Sequence, residues 1–216
     1  MGTELTSPVQ TLAARASLAS RRRKMRLFLE LLRPTPELRV VDVGVTDGGF
    51  GGGRGAEATH NFFEALYPWP AQITAVSTQY LDRFREAFPE VACVRADGRE
   101  LPFADGEFDI GFSNAVVEHV GDRDEQRQFV HELCRVSKRV FVTTPNRWFP
   151  IEVHTLLPVV HWLPSRQREA VYRLLRREQG LGVELLSARE FRALFPPSAR
   201  VEVVARWPTL AVAGTT

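Results

Sequence analysis

The chain has 216 residues, 44% of them hydrophobic and 25% charged, a length and balance that suit one globular domain with a substantial core. A net charge of +2 gives no global field that would argue for nucleic acid. The two cysteines, Cys93 and Cys134, stand in apolar contexts that suit reduced core thiols rather than a disulfide framework or a metal site. No run approaches the roughly 20 apolar residues of a membrane span, and arginines break the first apolar cluster, so the sequence reads as cytoplasmic without a signal peptide.

In chain order, residues 1–8 read as a flexible start and residues 9–33 as a helix. Leu27, Phe28, Leu31 and Leu32 give this helix an apolar face, and Pro34 and Pro36 end it. The basic run Arg21–Lys24 reads as a solvated face, or as a contact for an anionic membrane surface or a polyanionic substrate. Val40, Val41 and Val43, interrupted by Asp42, predict a buried parallel strand that runs into a loop with Gly44, Gly48 and Gly49. An acidic residue at the carboxyl end of a first strand, followed by such a loop, is the start of a nucleotide-type site at a sheet edge. A plain strand-to-helix turn is the alternative. The glycine-rich stretch Gly48–Gly55, with Phe50 and Arg54, reads either as an anion cradle or as a flexible linker.

A helix over Glu57–Leu66 follows, then strands at Gln72–Ser77, Val91–Ala96, Phe108–Ser113 and Arg139–Thr144. Helices at Gln79–Phe88 and Asp124–Ser137 lie between them. Strands alternating with helices predict β-α-β units and a mostly parallel sheet. Ala199–Arg206 and Thr209–Gly214 are joined only by Trp207-Pro208, which forces a hairpin with an antiparallel last strand. Ser187 and Glu190 form a capping box for the helix before it. The reading is one domain, with an N-terminal helix (1–37), a core (38–145), a helical and apolar cover (146–198) and a terminal hairpin (199–216).

Five parallel strands, a terminal hairpin and a glycine loop after strand one resemble a class I S-adenosylmethionine-dependent methyltransferase. The stretch ADGRELPFADGEFDIGFSNAVVEHV, with LPFADGEFD followed by an EH pair, resembles the small-molecule, type-11 branch of that family. The resemblance covers residues 38–145 and extends through the hairpin. It implies a Rossmann-like seven-stranded α/β fold and S-adenosylmethionine as cofactor. By the same resemblance Asp42, Gly44, Thr46 and Gly48 would wrap the methionine part of the cofactor. Asp97 would accept from the adenine amino group, Gly98 would lend its amide, and Asn114 would lie at the methionyl end. The cofactor's chemistry calls for a carboxylate and free backbone amides at its amino-acid end, and for apolar adenine walls, for which Leu101 and Phe103 are the candidates. One position departs: Ser77 stands where the family places an acid for the ribose hydroxyls.

Methyl transfer needs orientation and a dry pocket, and a hydroxyl acceptor also needs a general base. His119 is the first candidate, Glu118 could orient it or act instead, and His154 is a second base on the covering segment; Glu118-His119 as a mere helix cap is the alternative. The stretch 148–163, with Trp148 and Trp162, reads as a packed lid or as a site for a lipid-linked acceptor that docks peripherally on a membrane. His154 and His161 are seven apart with Pro158 between and no evident third ligand, so no metal is expected. Ser113-Asn114-Ala115-Val116 is not an Asn/Asp-Pro-Pro-aromatic motif, and no nucleic-acid module is visible, which leaves a small molecule, glycan or lipid-linked acceptor, methylated at oxygen. Two other readings compete. One is a non-catalytic binding or scaffold relative. The other, a nicotinamide oxidoreductase, lacks its G-x-G-x-x-G loop and an acid at Ser77.

Overall fold

The computed structural model describes residues 8–48, 60–205 and 207–216, with side chains from residue 18 onward. The glycine-rich stretch after Gly48, Arg54 and the expected helix start at Glu57 lie outside the described residues.

Alternation along short β-branched runs sets up a sheet buried on both faces. Strand β1 is Val40–Val43, all buried; Val41 and Val43 join one core and Val40 the other. Parallel to it run β2 (Ile73–Ser77) and β4 (Ile110–Asn114), then β3 (Ala92–Arg95) beside β2 and β5 (Arg139–Pro145) beside β4. The hairpin β6 (Arg200–Ala205) and β7 (Thr209–Thr215) completes a seven-stranded sheet in the order β3-β2-β1-β4-β5-β7-β6. Strand β7 runs antiparallel to both neighbours; against β6 the short connection requires it. The fold is Rossmann-like, a mostly parallel sheet with an antiparallel terminal hairpin.

Helices cover both faces. On one lie α1 (Pro8–Leu32), α2 (Phe62–Leu66) and α3 (Asp82–Ala87); on the other lie α4 (Arg123–Val136) and α6 (Ala188–Arg192). Helix α5 (Ser165–Leu174) belongs to the segment between β5 and β6. Helix α4 begins at a capping box in which Asp122 accepts from the amides of Asp124 and Glu125 while Glu125 accepts from the Asp122 amide. The box expected at Ser187 and Glu190 opens α6.

Helix α1 presents Met25, Phe28 and Leu32 to the sheet, while Leu31 is exposed. The Phe28 ring meets those of Phe63, Phe112 and Phe141 edge-on at 5.1, 5.6 and 5.7 Å. Such pairs add to area burial, so this one side chain fixes how α1 lies on the sheet. Replacing it leaves a cavity between helix and strands. Phe28→Ala is expected to lower stability by about 3–5 kcal/mol in urea unfolding; a loss below about 1 kcal/mol would mean that the cluster does not anchor α1.

Candidate active site

The strand order reverses direction at β1 and β4, and in such sheets the crevice outside the carboxyl ends of the strands binds ligands. A cavity of about 480 Å³ opens there, within the usual range for small-molecule sites. Four strand ends line it: residues 43–46 after β1, 77–79 after β2, 97–99 after β3, and 114–116 with His119 and Val120 after β4. His60 and Phe129 complete the wall.

The loop after β1 is held from all sides. Gly44 has φ +111°, and a Cβ there would overlap Val116, so both backbone conformation and space call for glycine. The Gly44 and Val45 amides donate to the Val76 carbonyl, the Thr46 amide to Asn61 Oδ1 (3.1 Å) and the Asp47 amide to Gln79 Oε1 (3.3 Å). Asn61 is buried and returns a bond from Nδ2 to the Thr46 carbonyl at 2.7 Å. The amides of residues 44–47 are therefore spent inside the protein. Gly44 and Thr46 line the cavity; Gly48 and Asp42 do not. The Asp42 side chain points to the other face of the sheet, against Glu64 of α2, because strand alternation that aims Val41 and Val43 one way aims Asp42 the other.

At the second and third strand ends the expected residues line the cavity with much of their bonding capacity used. Ser77 Oγ donates to the Val45 carbonyl (2.8 Å) and accepts from the Gln79 amide (3.2 Å), so it can accept from a ribose hydroxyl but not donate to one. Asp97 is clasped by Arg99, whose Nε and Nη2 reach its carboxylate at 3.1 and 2.7 Å. That hydrogen bonding holds its pKa below the usual range. Arg99 also pairs with Glu125. Gly98 is needed for packing, since a Cβ would overlap Phe129 and lie 2.9 Å from Val43 Cγ1. Leu101 and Phe103 do not reach the cavity. Arg135 holds their carbonyls at 3.0 and 2.8 Å and Phe103 packs edge-on to Phe108, so the apolar walls are instead Val43, Val76, Ala96, Val116, Val120 and Phe129.

The fourth strand end carries the densest chemistry. Asn114 Oδ1 accepts from Lys24 Nζ of α1 and from Thr143 Oγ1 (2.8 Å). Lys24 thus turns inward, while Arg22 and Arg23 of the same basic run are exposed. Burial first, and then Arg21, pull the Lys24 pKa down to about 8. Glu118 is fully buried; its Oε2 accepts from Thr144 Oγ1 (2.9 Å), and burial raises its pKa to about 7. His119 Nε2 lies 3.2 Å from His154 Nε2, and His154 Nδ1 lies 2.6 Å from Glu152 Oε1. Burial, then the neighbouring His154 and His60, lower the His119 pKa to about 4. Burial acts against the charge on His154 too, but the Glu152 hydrogen bond and charge outweigh it and raise its pKa. His161 is apart from this group and bonds the Arg147 carbonyl through Nε2 at 2.9 Å.

The three residues expected at the acceptor are thus together, although only His119 lines the cavity. Sequence reasoning missed Lys24, His60, Asn61, Glu64 and Glu152. Only Glu152 left a local trace, two residues before His154; the others meet the site through long-range packing.

Residues 46–140 match the family of methyltransferase domains. Over these residues the chain is similar to methyltransferase domains. Among solved structures, the YcgJ protein of Bacillus subtilis is 20% identical over 86% of this chain and 72% of its own, with a TM-score of 0.58. An S-adenosylmethionine-dependent methyltransferase of Thermotoga maritima, described as a possible histamine N-methyltransferase, is 17% identical over 94% of this chain and 91% of its own (TM-score 0.57). A Rhodobacter sphaeroides protein described as a putative zinc-dependent alcohol dehydrogenase is 15% identical over 89% of each chain (TM-score 0.60). At such identities the likeness is one of fold. No curated protein matches the chain.

The cavity fits S-adenosylmethionine in kind: an apolar-walled slot with a carboxylate at Asp97 and a polar end at Asn114, behind which Lys24 bonds the Asn114 oxygen. When bound, the cofactor supplies a methyl group already activated on a sulfonium.

Behind the cavity, the Asp42 and Glu64 carboxyls face each other in the core. Among the described residues neither Glu64 oxygen has a donor, so the pair is satisfied only by holding a proton. Burial raises Asp42 well above its ordinary value and Glu64 from 4.5 to about 7. An acid held more protonated in the folded chain than in the unfolded one stabilises the fold at low pH and loses that effect as pH rises. The unfolding free energy is therefore expected to fall as pH climbs from 4.5 through about 7. Glu64→Gln should flatten this slope and raise stability above pH 7 by about 1–2 kcal/mol. Urea midpoints of both proteins across the window test it; parallel slopes would refute the shared proton.

Proposed function

We propose that this chain is an S-adenosylmethionine-dependent methyltransferase that methylates a hydroxyl oxygen of a small-molecule, glycan or lipid-linked acceptor, activated at the Glu118–His119–His154 cluster. One observation carries the reading: His119 lines the cofactor cavity with its Nε2 facing His154 Nε2, and Glu152 fixes the His154 ring from behind. A hydroxyl has a proton to lose before it can attack, and this arrangement draws it away. His119, kept neutral by burial and by its basic neighbours, presents a lone pair, and Glu152 stabilises positive charge that forms on His154.

The other roles follow the donors that remain. Asp97 accepts from the adenine amino group through lone pairs that Arg99 leaves open, with the Gly98 amide beside it. Ser77 accepts from a ribose hydroxyl, a weaker anchor than a carboxylate. With the amides of residues 44–47 spent, Lys24 at Asn114 is the charge that suits the cofactor's carboxylate. The chain's residues orient the acceptor and exclude water, which is the larger part of the barrier they lower.

Calorimetric titration of S-adenosylmethionine and its demethylated product tests the cofactor roles. Asp97→Ala should weaken both at least about tenfold, or 1.4 kcal/mol. Radiolabelled methyl transfer to a panel of hydroxyl and amine acceptors tests the substrate class. His119→Ala should cut kcat by roughly 100-fold or more while cofactor affinity stays within about twofold. Methylation confined to amines would overturn the oxygen reading, and no cofactor binding would favour a scaffold role.

A second reading, contact with a lipid surface, is supported by the segment that carries His154. Trp148 (58% exposed) and Trp162 (46%) lie 6.3 Å apart beside exposed Ile151, Leu156 and Val159. Interfacial tryptophans flanked by aliphatic side chains suit a headgroup boundary. Among the described residues no helix is long and apolar enough to cross a membrane. The protein should sediment with phosphatidylglycerol vesicles, and a Trp148→Ala/Trp162→Ala variant should lose most of that binding; equal binding by both would refute the docking face.

A further inference from the structure

We propose that Glu118, His119 and His154 form a binding site for one divalent transition-metal ion, open toward the cofactor cavity. The expectation of no metal paired His154 with His161. The fold instead brings His154 to His119 and Glu118, 35 residues away in sequence, through the packing of segment 146–163 over the end of β4.

The donor atoms converge. His119 Nε2 and His154 Nε2 are 3.2 Å apart, Glu118 Oε1 is 4.0 Å from His154 Nε2, and all three lie within 4.8 Å of one another. Ligands bonded at about 2.0–2.1 Å to a common ion stand roughly 3 Å apart, so small side-chain rotations close the set. Glu118 supplies the independent observation. It is fully buried, and among the described residues its Oε1 has no hydrogen-bond partner although Oε2 is held by Thr144. A buried carboxylate oxygen left without a donor and aimed at two imidazoles is what a cation would satisfy.

The surroundings complete the pattern. Glu152 holds His154 Nδ1, which fixes the tautomer with its Nε2 lone pair toward the centre, and Thr144 orients Glu118 in the same way. Ligating histidines characteristically lean on a carboxylate through their other nitrogen. Three protein ligands leave coordination positions free, the mark of a site that takes a substrate oxygen rather than a closed structural site. His119 lines the cavity, so those positions face the space beside Asn114. Two imidazoles and one carboxylate favour zinc, iron(II), cobalt(II) or nickel(II) over magnesium or calcium. The ion's role as the acceptor's anchor rests on the hydroxyl reading above; its binding does not. In the ion-loaded protein the acceptor hydroxyl is drawn by coordination in place of direct hydrogen bonding to His119.

The test uses the full chain, stripped with a chelator and titrated with zinc, cobalt(II) and magnesium chlorides alone, by calorimetry and by the visible ligand-field bands of cobalt. One zinc or cobalt ion per chain at micromolar affinity or tighter is expected, with magnesium silent. His154→Gln and Glu118→Gln should each weaken binding at least 100-fold, and Glu152→Gln at least tenfold, with circular dichroism confirming their fold. His131→Ala, an exposed histidine on α4, should bind as the parent does. No saturable binding, or equal binding by parent and His154→Gln, would overturn the site. Because the readout needs neither cofactor nor acceptor, metal binding by a protein that methylates no hydroxyl would uphold the site and refute the acceptor reading separately.

Discussion

The cavity at the strand ends depends on one close approach, that of Gly44 to Val116. The chain leaving β1 and the chain leaving β4 come so near that a methyl group at position 44 has no room. The approach is possible because β1 and β4 are hydrogen-bonded neighbours whose following connections go to opposite sides, so their ends diverge into a crevice rather than a continuous loop. Val76, Asn61 and Gln79 then take up the loop's amides and hold its shape. The result is a preorganised wall, with little of its backbone free to bond a ligand directly. Specific recognition falls to side chains from four strand ends and from α1.

Two buried carboxylates near this crevice show how differently the same group can be used. Glu64 faces another acid and is satisfied by a proton, which makes the pair a structural element. Glu118 faces two imidazoles with one oxygen bonded and the other, among the described residues, without a donor. Burial raises the pKa of both. What separates them is the partner set: a second carboxyl can only share a proton, whereas imidazole lone pairs and a carboxylate together attract a cation or an acidic hydroxyl.

The strands were legible because each is a short β-branched or aromatic run between turn residues, and the two-residue Trp207-Pro208 link dictated the direction of β7. The end of β4 was legible in part because Glu118 and His119 are adjacent. Asp42 misled because its place before the glycine loop suggested the ligand side, while period-two alternation put it on the far face with Glu64. That the amides of residues 44–47 are taken up was not legible because their acceptors, Val76, Asn61 and Gln79, come from other elements. Lys24 was hidden for the same reason: it reaches Asn114 across 90 residues of sequence, and nothing in an arginine-rich run marks which member turns inward.

What turns Lys24 inward is the hydrophobic packing of α1. Lys24 and Phe28 are four residues apart and so share a helix face. Phe28 fits among Phe63, Phe112 and Phe141, and one turn earlier the Lys24 ammonium lies 5.3 Å from the Phe62 ring and bonds Asn114. The same contact that buries α1 therefore delivers a desolvated cation to Asn114 at the end of β4. Its reach is further extended by charge: Lys24 is felt at His60 and Glu118, and His60 at His119. Core and cavity are joined through one helix, so a change that shifts α1 on the sheet alters the electrostatics of the Glu118–His119–His154 cluster even where it touches none of that cluster's residues.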